Sequence, residues 1–505
     1  MAAPYTSTLL FLAFLVHLAS SSFTIGAQPR EALIRLNRVA DLDELVLPES
    51  LDRPARRNAV HLFLSAFAAR EQAGVRAVLA RHGVAHESFW IVNAVHAHNL
   101  TAAAADELRA LRLDDGGGGN GDGGRVLCDI EAVGGVHRIK PVPKHVARKM
   151  QGLGDVDDAF PIVGSGGVQA NIKKVKADQC WSTENATGAG VTVATLDGGV
   201  NYLHPALVGS YRGTRDGGKS FVHDYNWADF AYQNSEPDDT GGEGHGSNVA
   251  GILTGSEASG VGVAPGAKWI SAKIFNFAGY SAASWTISGL QWVLCPTPVN
   301  KKAPADCSRG ADVVSCSWGQ DTATDASLEQ SVKAWLKAGT VPVFAVGNAG
   351  PACKTSVAPA DYRGVIGVGG TMNDDSLLAF SSRGPTPNAT TGATGLNPLA
   401  PAIVAPGYDI LGPAKQGDGY NGLSGTSQAC PHVAGAAALV LGANPKLTPA
   451  QVADALFRGA VTSDLSDPGQ GDSCGGKKWN SYPNFAYGYG ALDCLAAVQA
   501  AKKML

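Results

Sequence analysis

The stretch Gly422-Leu-Ser-Gly-Thr-Ser-Gln-Ala-Cys-Pro-His-Val-Ala-Gly435 places Ser427 at a glycine-hinged entrance to an alanine-rich run of helical character. A side chain in the first turn of a helix lies beside amide N–H groups that lack intrahelical partners, at the positive end of the backbone dipole. A serine attacking a carbonyl there would raise an oxyanion within reach of its own N–H, provided that a base and a second donor arrive from elsewhere. Taken singly, a Gly-Thr-Ser at a helix start is more often a simple N-cap.

Three upstream segments carry the missing groups. Val191-Thr-Val-Ala-Thr-Leu-Asp197 reads as a buried strand ending in a carboxylate at a glycine turn, the place where open α/β sheets build their sites. Asp197 is the expected orienter of a histidine. His245 stands between Gly244 and Gly246 just before a small-residue helix, and is the expected general base. Val341-Pro-Val-Phe-Ala-Val-Gly-Asn348 ends another apolar strand in an amide side chain, a suitable second donor to a tetrahedral oxyanion. Each has a bland alternative, since strand-end Asp and Gly-Asn-Ala-Gly usually serve turns. The four together, each in a strand-end or helix-start setting, favour chemistry.

The order Asp197, His245, Asn348, Ser427 resembles the subtilisin-like serine peptidases over roughly residues 168–500. The resemblance implies a three-layer α/β/α fold with a mostly parallel central sheet, preceded by a small α/β propeptide domain. It also implies a secreted endopeptidase made as an autoprocessed zymogen, with Asp197, His245 and Ser427 catalytic and Asn348 in the oxyanion hole. The segments Phe221–Asp229 and Ala486–Asp493 are similar to bacillopeptidase F-like members. The chain departs from the family where Asp197 is followed by Gly198 in place of Ser or Thr, which predicts tuning of the aspartate but no loss of the triad. Ser247-Asn248 stands for the frequent Thr-His. Gln428 stands where methionine usually follows the nucleophile, which predicts activity resistant to peroxide, with the nearby Cys430 thiol a complication.

Two runs resemble the family's substrate-binding edges, Gly279-Tyr280-Ser281 and Ser317-Trp318-Gly319. An extended peptide can add to such edges as an antiparallel strand, so polypeptides are the expected substrates. Val346 and Gly347, with Ala349 and Gly350, are expected pocket walls, and Val357 lies near the floor by resemblance. All are uncharged, so apolar P1 side chains are expected over Lys or Arg. No cofactor is expected for catalysis; the resemblance admits structural calcium, with carboxylates in loops such as Glu236-Pro-Asp-Asp239, but names no ligands.

The 505 residues carry 44 acidic and 40 basic side chains, a net charge of −4 that gives no basic excess for nucleic acid. Residues 1–27, with the apolar run Leu9–Val16, read as a secretory signal peptide too short to span a bilayer, and no other run suggests a membrane anchor. Residues 53–132 have their own rhythm: helical periodicity from Ala66 to His82, a strand-like Phe89–Val95, a helix from Ala102 capped by Thr101, and a strand after the Gly116–Gly124 tract. By resemblance this is an inhibitor-type propeptide, followed by a flexible processing segment at 133–167 and the peptidase domain at 168–500. Its tail would occupy the active site as an intramolecular inhibitor, with autolytic removal between about Val133 and Lys174.

Of nine cysteines, setting aside Cys128 leaves eight, an even count that suits an oxidising compartment. Cys295 with Cys307 and Cys474 with Cys494 are expected pairs, and Cys316 a buried reduced thiol. Asn99, Asn185 and Asn388 begin N-glycosylation signals. Two competing readings fit less well. An α/β-hydrolase esterase would want Gly-x-Ser-x-Gly, but Ala429 follows two after Ser427; a catalytically silent binding protein of the same fold is countered by the complete set of four residues.

Overall fold

A computed structural model describes residues 30–111, 127–132, 135–138, 167–241, 243–301, 303–320, 326–386, 399–468 and 474–504. The expected signal peptide, the glycine tract, most of the processing segment and Asn388 fall outside them.

Strands β1 (Arg30–Leu36), β2 (His86–Phe89), β3 (Ala94–Leu100) and β4 (Cys128–Ala132) form an antiparallel sheet in the order β2-β3-β1-β4. Helices Arg53–Glu71, Ala73–Arg81 and Ala102–Ala110 accompany it. Asp52 caps the first helix through Ala55 N, and Thr101 caps the third through Ala104 N. Two boundaries differ from the sequence expectation. The sheet takes in β1, upstream of residue 53. The apolar run Phe89–Val95 is not one strand: Trp90–Asn93 turn, with Asn93 at φ 49°, a left-handed conformation that asparagine tolerates.

Next comes a short strand β5 (Gly135–Arg138), then a seven-stranded sheet built from β6 (Thr192–Asp197), β9 (Trp227–Asp229), β10 (Lys268–Lys273), β12 (Val313–Cys316), β14 (Val341–Ala345), β15 (Ile366–Thr371) and β16 (Ile403–Pro406). A small hairpin, β7 (Thr214–Arg215) with β8 (Ser220–Phe221), precedes β9, and β11 (Tyr280–Ala282) and β13 (Trp318–Gly319) lie between the later strands. The order β16-β15-β14-β12-β6-β10-β9 is parallel throughout. Such a sheet must be covered on both faces. Val193, Val343 and Ala345 pack toward helix Thr426–Ala443, while Ala194, Leu196, Phe344 and Val346 pack toward Ala283–Leu294 and Glu329–Ala338. The three-layer α/β/α architecture is therefore as expected. A last hairpin, β17 (Ile410–Pro413) with β18 (Tyr420–Leu423), leads into the Ser427 helix.

The N-terminal sheet shares a core with the second of these faces, where Leu33, Val60, Leu64 and Phe89 pack with Leu290, Trp292 and Trp335. Arg57, 3% exposed, donates to Cys307 O, Ala311 O and Asp312 Oδ1 across that seam.

Cys295 and Cys307 are disulfide-bonded as expected, but Cys474 pairs with Cys353 and not with Cys494. Cys494 starts helix Cys494–Lys502 and is buried, and burial, with Cys180 and Asp493 beside it, pushes its thiol well up; burial, with Asp493 beside it, pushes Cys180 up to about 12. Cys128, Cys180, Cys316, Cys430 and Cys494 are free and buried, so the even count of eight does not translate into four bridges. Asn99 and Asn185 are exposed. No helix among the described residues is long and apolar enough to cross a membrane.

Candidate active site

The C-terminal ends of the central strands bring the expected residues together. Asp197 is the last residue of β6 and 1% exposed, and both of its carboxylate oxygens lie 2.9 Å from His245 Nδ1. One of them also accepts from Gly198 N at 2.7 Å, so the glycine that replaces the family's hydroxyl residue supplies a backbone donor. His245 opens helix His245–Thr254. Its Nε2 is buried and has no hydrogen-bond partner. Gly244, the N-cap, sits at φ 72°, and a Cβ there would lie 2.8 Å from Lys415 N. Both facts require glycine.

A glycine N-cap has no side chain to satisfy the first turn. Asp239 does so instead: one oxygen accepts from Ser247 N at 2.8 Å and Ser247 Oγ at 2.7 Å, the other from Gly241 N at 3.0 Å. Ser247 Oγ in turn accepts from Asn201 N at 2.9 Å. Burial, outweighing these hydrogen bonds and reinforced by Asp197, pushes the Asp239 carboxyl up to about 7. Sequence reasoning placed Asp239 only among loop carboxylates. The one sequence signal was the bare glycine cap, Gly244, which leaves the first turn without a side-chain acceptor; that Asp239, eight residues before Ser247, fills the gap is visible only in three dimensions.

Ser427 is the second residue of helix Thr426–Ala443. Pro431 lies inside that helix and has no N–H to give to the Ser427 carbonyl four residues back. Ser317 Oγ takes that place at 2.8 Å, and Ser427 Oγ donates to Ser317 O at 3.3 Å. Gln428 Nε2 donates to Asn248 Oδ1 at 3.3 Å, tying the two helices that bear Ser427 and His245. Cys430, below the site, donates to Val343 O at 3.5 Å, and burial pushes its thiol up to about 12. His432, one turn on, donates from Nδ1 to Gln428 O and accepts at Nε2 from Asn171 Nδ2; burial lowers its pKa to about 4.

Asn348 lies just beyond β14, where its Oδ1 accepts from Thr426 N at 2.9 Å and Thr426 Oγ1 at 3.0 Å. That fixes the amide's orientation. The space above Gly425 is bordered by two donors and one acceptor: a Cβ there would stand 3.1 Å from Asn348 Nδ2, 3.5 Å from Ser427 N and 3.0 Å from Gln428 Oε1. Any residue other than glycine would fill it.

The two expected substrate edges are both paired. Between them runs β5, antiparallel to each: Tyr280, Ser281 and Ala282 face His137, Val136 and Gly135, while Trp318 and Gly319 face Arg138 and His137. Gly279, at φ 75°, turns the chain into β11. Val346 is buried and its carbonyl accepts from Val357 N at 3.1 Å. Val357 fills the room that a Cβ on Gly319 would need, at 2.3 Å, while a Cβ on Gly347 would meet Ser382 Oγ at 2.9 Å with Val357 at 3.4 Å.

The Glu236–Asp239 loop does not fit calcium. Asp238 is held by Lys273 Nζ at 2.8 Å, a buried ammonium that also lies 3.7 Å from Asp229, and Asp239 is engaged as above. A cation there would meet an ammonium already in place.

Residues 188–490 match the family described as the subtilase family. Among curated proteins the chain is 33% identical to Bacillopeptidase F of Bacillus subtilis over 347 residues, 67% of this chain and 22% of that protein. It is 33% identical to Subtilisin E of Bacillus subtilis, covering 57% of this chain and 65% of that one. With Subtilisin of Bacillus pumilus it shares 32% identity over 66% of this chain and 99% of the relative. The chain therefore spans less than two thirds of the first two relatives' own length. A match over more than half the sequence, on a seven-stranded parallel sheet with strand ends that gather Asp197, His245, Asn348 and Ser427, makes this chain a member of the subtilase family.

Proposed function

We propose that the protein is a secreted serine endopeptidase made as a zymogen. Ser427 Oγ turns from Ser317 O to His245 Nε2, which takes its proton as the oxygen attacks the scissile carbonyl and later returns it to the leaving amine. Asp197 holds the imidazole with its Nδ1–H inward. Asn348 Nδ2 and Ser427 N–H receive the oxyanion in the space above Gly425. The observation that carries the reading is β5: an extended stretch of polypeptide paired on both sides with β11 and β13, which is how a peptide substrate would bind by its main chain. In the zymogen the chain's own residues 135–138 hold that place as an inhibitor, with the N-terminal domain docked behind them. Two disulfides and the Leu9–Val16 run support an oxidising destination.

A fluorophosphonate probe tests it: wild type should be labelled and Ser427→Ala should not, while casein is cut and short-chain esters are poor substrates. Failure to label a matured sample would leave a silent binding protein of the same fold. Amino-terminal sequencing of the matured chain should begin after residue 138.

A further inference from the structure

On the face of the N-terminal sheet that meets the peptidase domain lies a second cluster of chemistry-bearing side chains. His96 and His98 stand two apart on β3 and so share a face. Leu33 and Glu87 flank His96 on the neighbouring strands, and Leu33 belongs to the core shared with the peptidase domain, which fixes the direction of that face. The β1/β3 register slips between Arg30 and Ala32, opposite Asn99 at φ 58°. A bulge of this kind re-aims a side chain. It delivers Glu31, whose Oε2 lies 2.8 Å from His96 Nε2 and 3.0 Å from His98 Nδ1.

The three ligand atoms all lie within 4.8 Å of one another, and the two rings are 4.4 Å apart. His96 is buried, 7% exposed, and its Nε2, though close to Glu31, is not aligned for a hydrogen bond and has no other partner. Glu31 Oε2 is hydrogen-bonded to His98 Nδ1, so one carboxylate oxygen and two imidazole nitrogens already converge on one point. The cluster opens on a cleft of about 380 Å³ at the domain seam, lined across from the histidines by Asp229, Asn234, Trp285 and Lys301. Glu87 is engaged there by Lys301 Nζ at 3.3 Å.

We infer that Glu31, His96 and His98 form a binding site for a zinc-type divalent cation, seated where the N-terminal domain meets the peptidase domain. Two imidazoles and one carboxylate are a common zinc set, with the fourth position left to water. Metal–ligand bonds of about 2.0–2.2 Å place tetrahedral ligand atoms roughly 3.3 Å apart, so Glu31 would draw back from each nitrogen by a few tenths of an ångström while the two ring nitrogens, within 4.8 Å of each other, settle to that spacing. The bound ion would join β1 to β3 and stabilise the N-terminal domain as it lies against the peptidase domain. The other group of metal-binding residue types among those described, His61 with Cys295 and Cys307, is spent: its sulfurs are in the disulfide.

The test uses the full-length chain carrying Ser427→Ala, which stays intact, stripped with chelator and titrated with zinc chloride. Expected are about one equivalent of tightly held zinc, a raised unfolding midpoint, and, with cobalt in its place, visible absorption of a tetrahedral centre. Glu31→Gln, at an exposed position, should weaken zinc at least roughly tenfold, since even the outer partners of zinc ligands cost that much. His96→Gln with His98→Gln should abolish it, while His61→Gln keeps it. Circular dichroism checks that each variant is folded. Zinc bound only weakly and substoichiometrically, or bound equally by Glu31→Gln and the double histidine variant, would overturn the inference.

Discussion

Ser317 and Ser427 are tied to each other twice: the Ser317 hydroxyl supplies the hydrogen bond that Pro431 denies to the Ser427 carbonyl, and the Ser427 hydroxyl rests on the Ser317 carbonyl. Removing Ser317 Oγ leaves a buried carbonyl short of a donor, at about 1–3 kcal/mol. Ser317→Ala should therefore lower stability by that amount. Pro431→Ala, which restores the helical donor, should make the same Ser317→Ala change nearly neutral. Denaturant unfolding of the four chains, read as a double-mutant cycle, checks the coupling.

The Asp239 carboxyl and the His432 imidazole pull stability in opposite directions with pH. Asp239 is raised to about 7, so between about 4 and 7 the folded chain holds a proton that the unfolded chain releases, and its contribution is lost as pH rises. His432 is lowered to about 4, so between about 6.5 and 4 the unfolded chain takes up a proton that the folded one refuses, and its contribution is lost as pH falls. Asp239→Asn should make acid destabilisation steeper and His432→Gln should make it shallower. Each change is limited to about 1.4 kcal/mol per pH unit. Thermal unfolding from pH 4 to pH 8 gives the slopes.

Asn348→Ala should cut kcat by about 10²–10³, equivalent to about 2.7–4 kcal/mol, with KM little changed. It should also destabilise the chain, because Thr426 N and Oγ1 lose their acceptor. Asn348→Asp keeps that acceptor but not the donor. Peptide hydrolysis and unfolding measured on both variants separate the two losses.

Val357 closes the space between Gly319 and Gly347, so its size sets the depth of the proposed P1 pocket. Val357→Ala should move preference toward bulkier apolar P1 residues by about 1–3 kcal/mol in relative kcat/KM, against a peptide library with no gain for Lys or Arg.

Dilute peroxide should leave wild-type activity largely intact, because Gln428 offers no thioether and the Cys430 thiol, at about 12, stays protonated. Gln428→Met should become sensitive. Residual activity against peroxide exposure distinguishes the two chains.

Asp197, His245, Asn348 and Ser427 were legible in the sequence because each sits at the end of an unmistakable apolar strand or the start of a small-residue helix, and a parallel sheet collects such ends on one edge. The apolar runs of β6 and β14 read as buried strands for the same reason, and both strands are buried along nearly their whole length. Partners made by contact between distant segments were not legible. Cys474 gave no sign that Cys353, 121 residues away, lay nearer than Cys494. Strand β1 was hidden because its pairing with β3 and β4 crosses the helices between them, and Asn93 broke an apolar run whose composition read as one strand. Ser317 was expected at a substrate edge, but its hydroxyl is spent beneath the nucleophile.

The order in which the central strands are laid down has a consequence for biosynthesis. Asp197 lies on an interior strand, yet the helix bearing Ser427 comes after the last strand of that sheet and packs against four of its members. A chain emerging from the ribosome has made its N-terminal domain and all seven strands of that sheet before Ser427. On the proposed reading, cutting power would be withheld until Ser427 is made, by which time the N-terminal domain proposed to restrain it would have had time to fold.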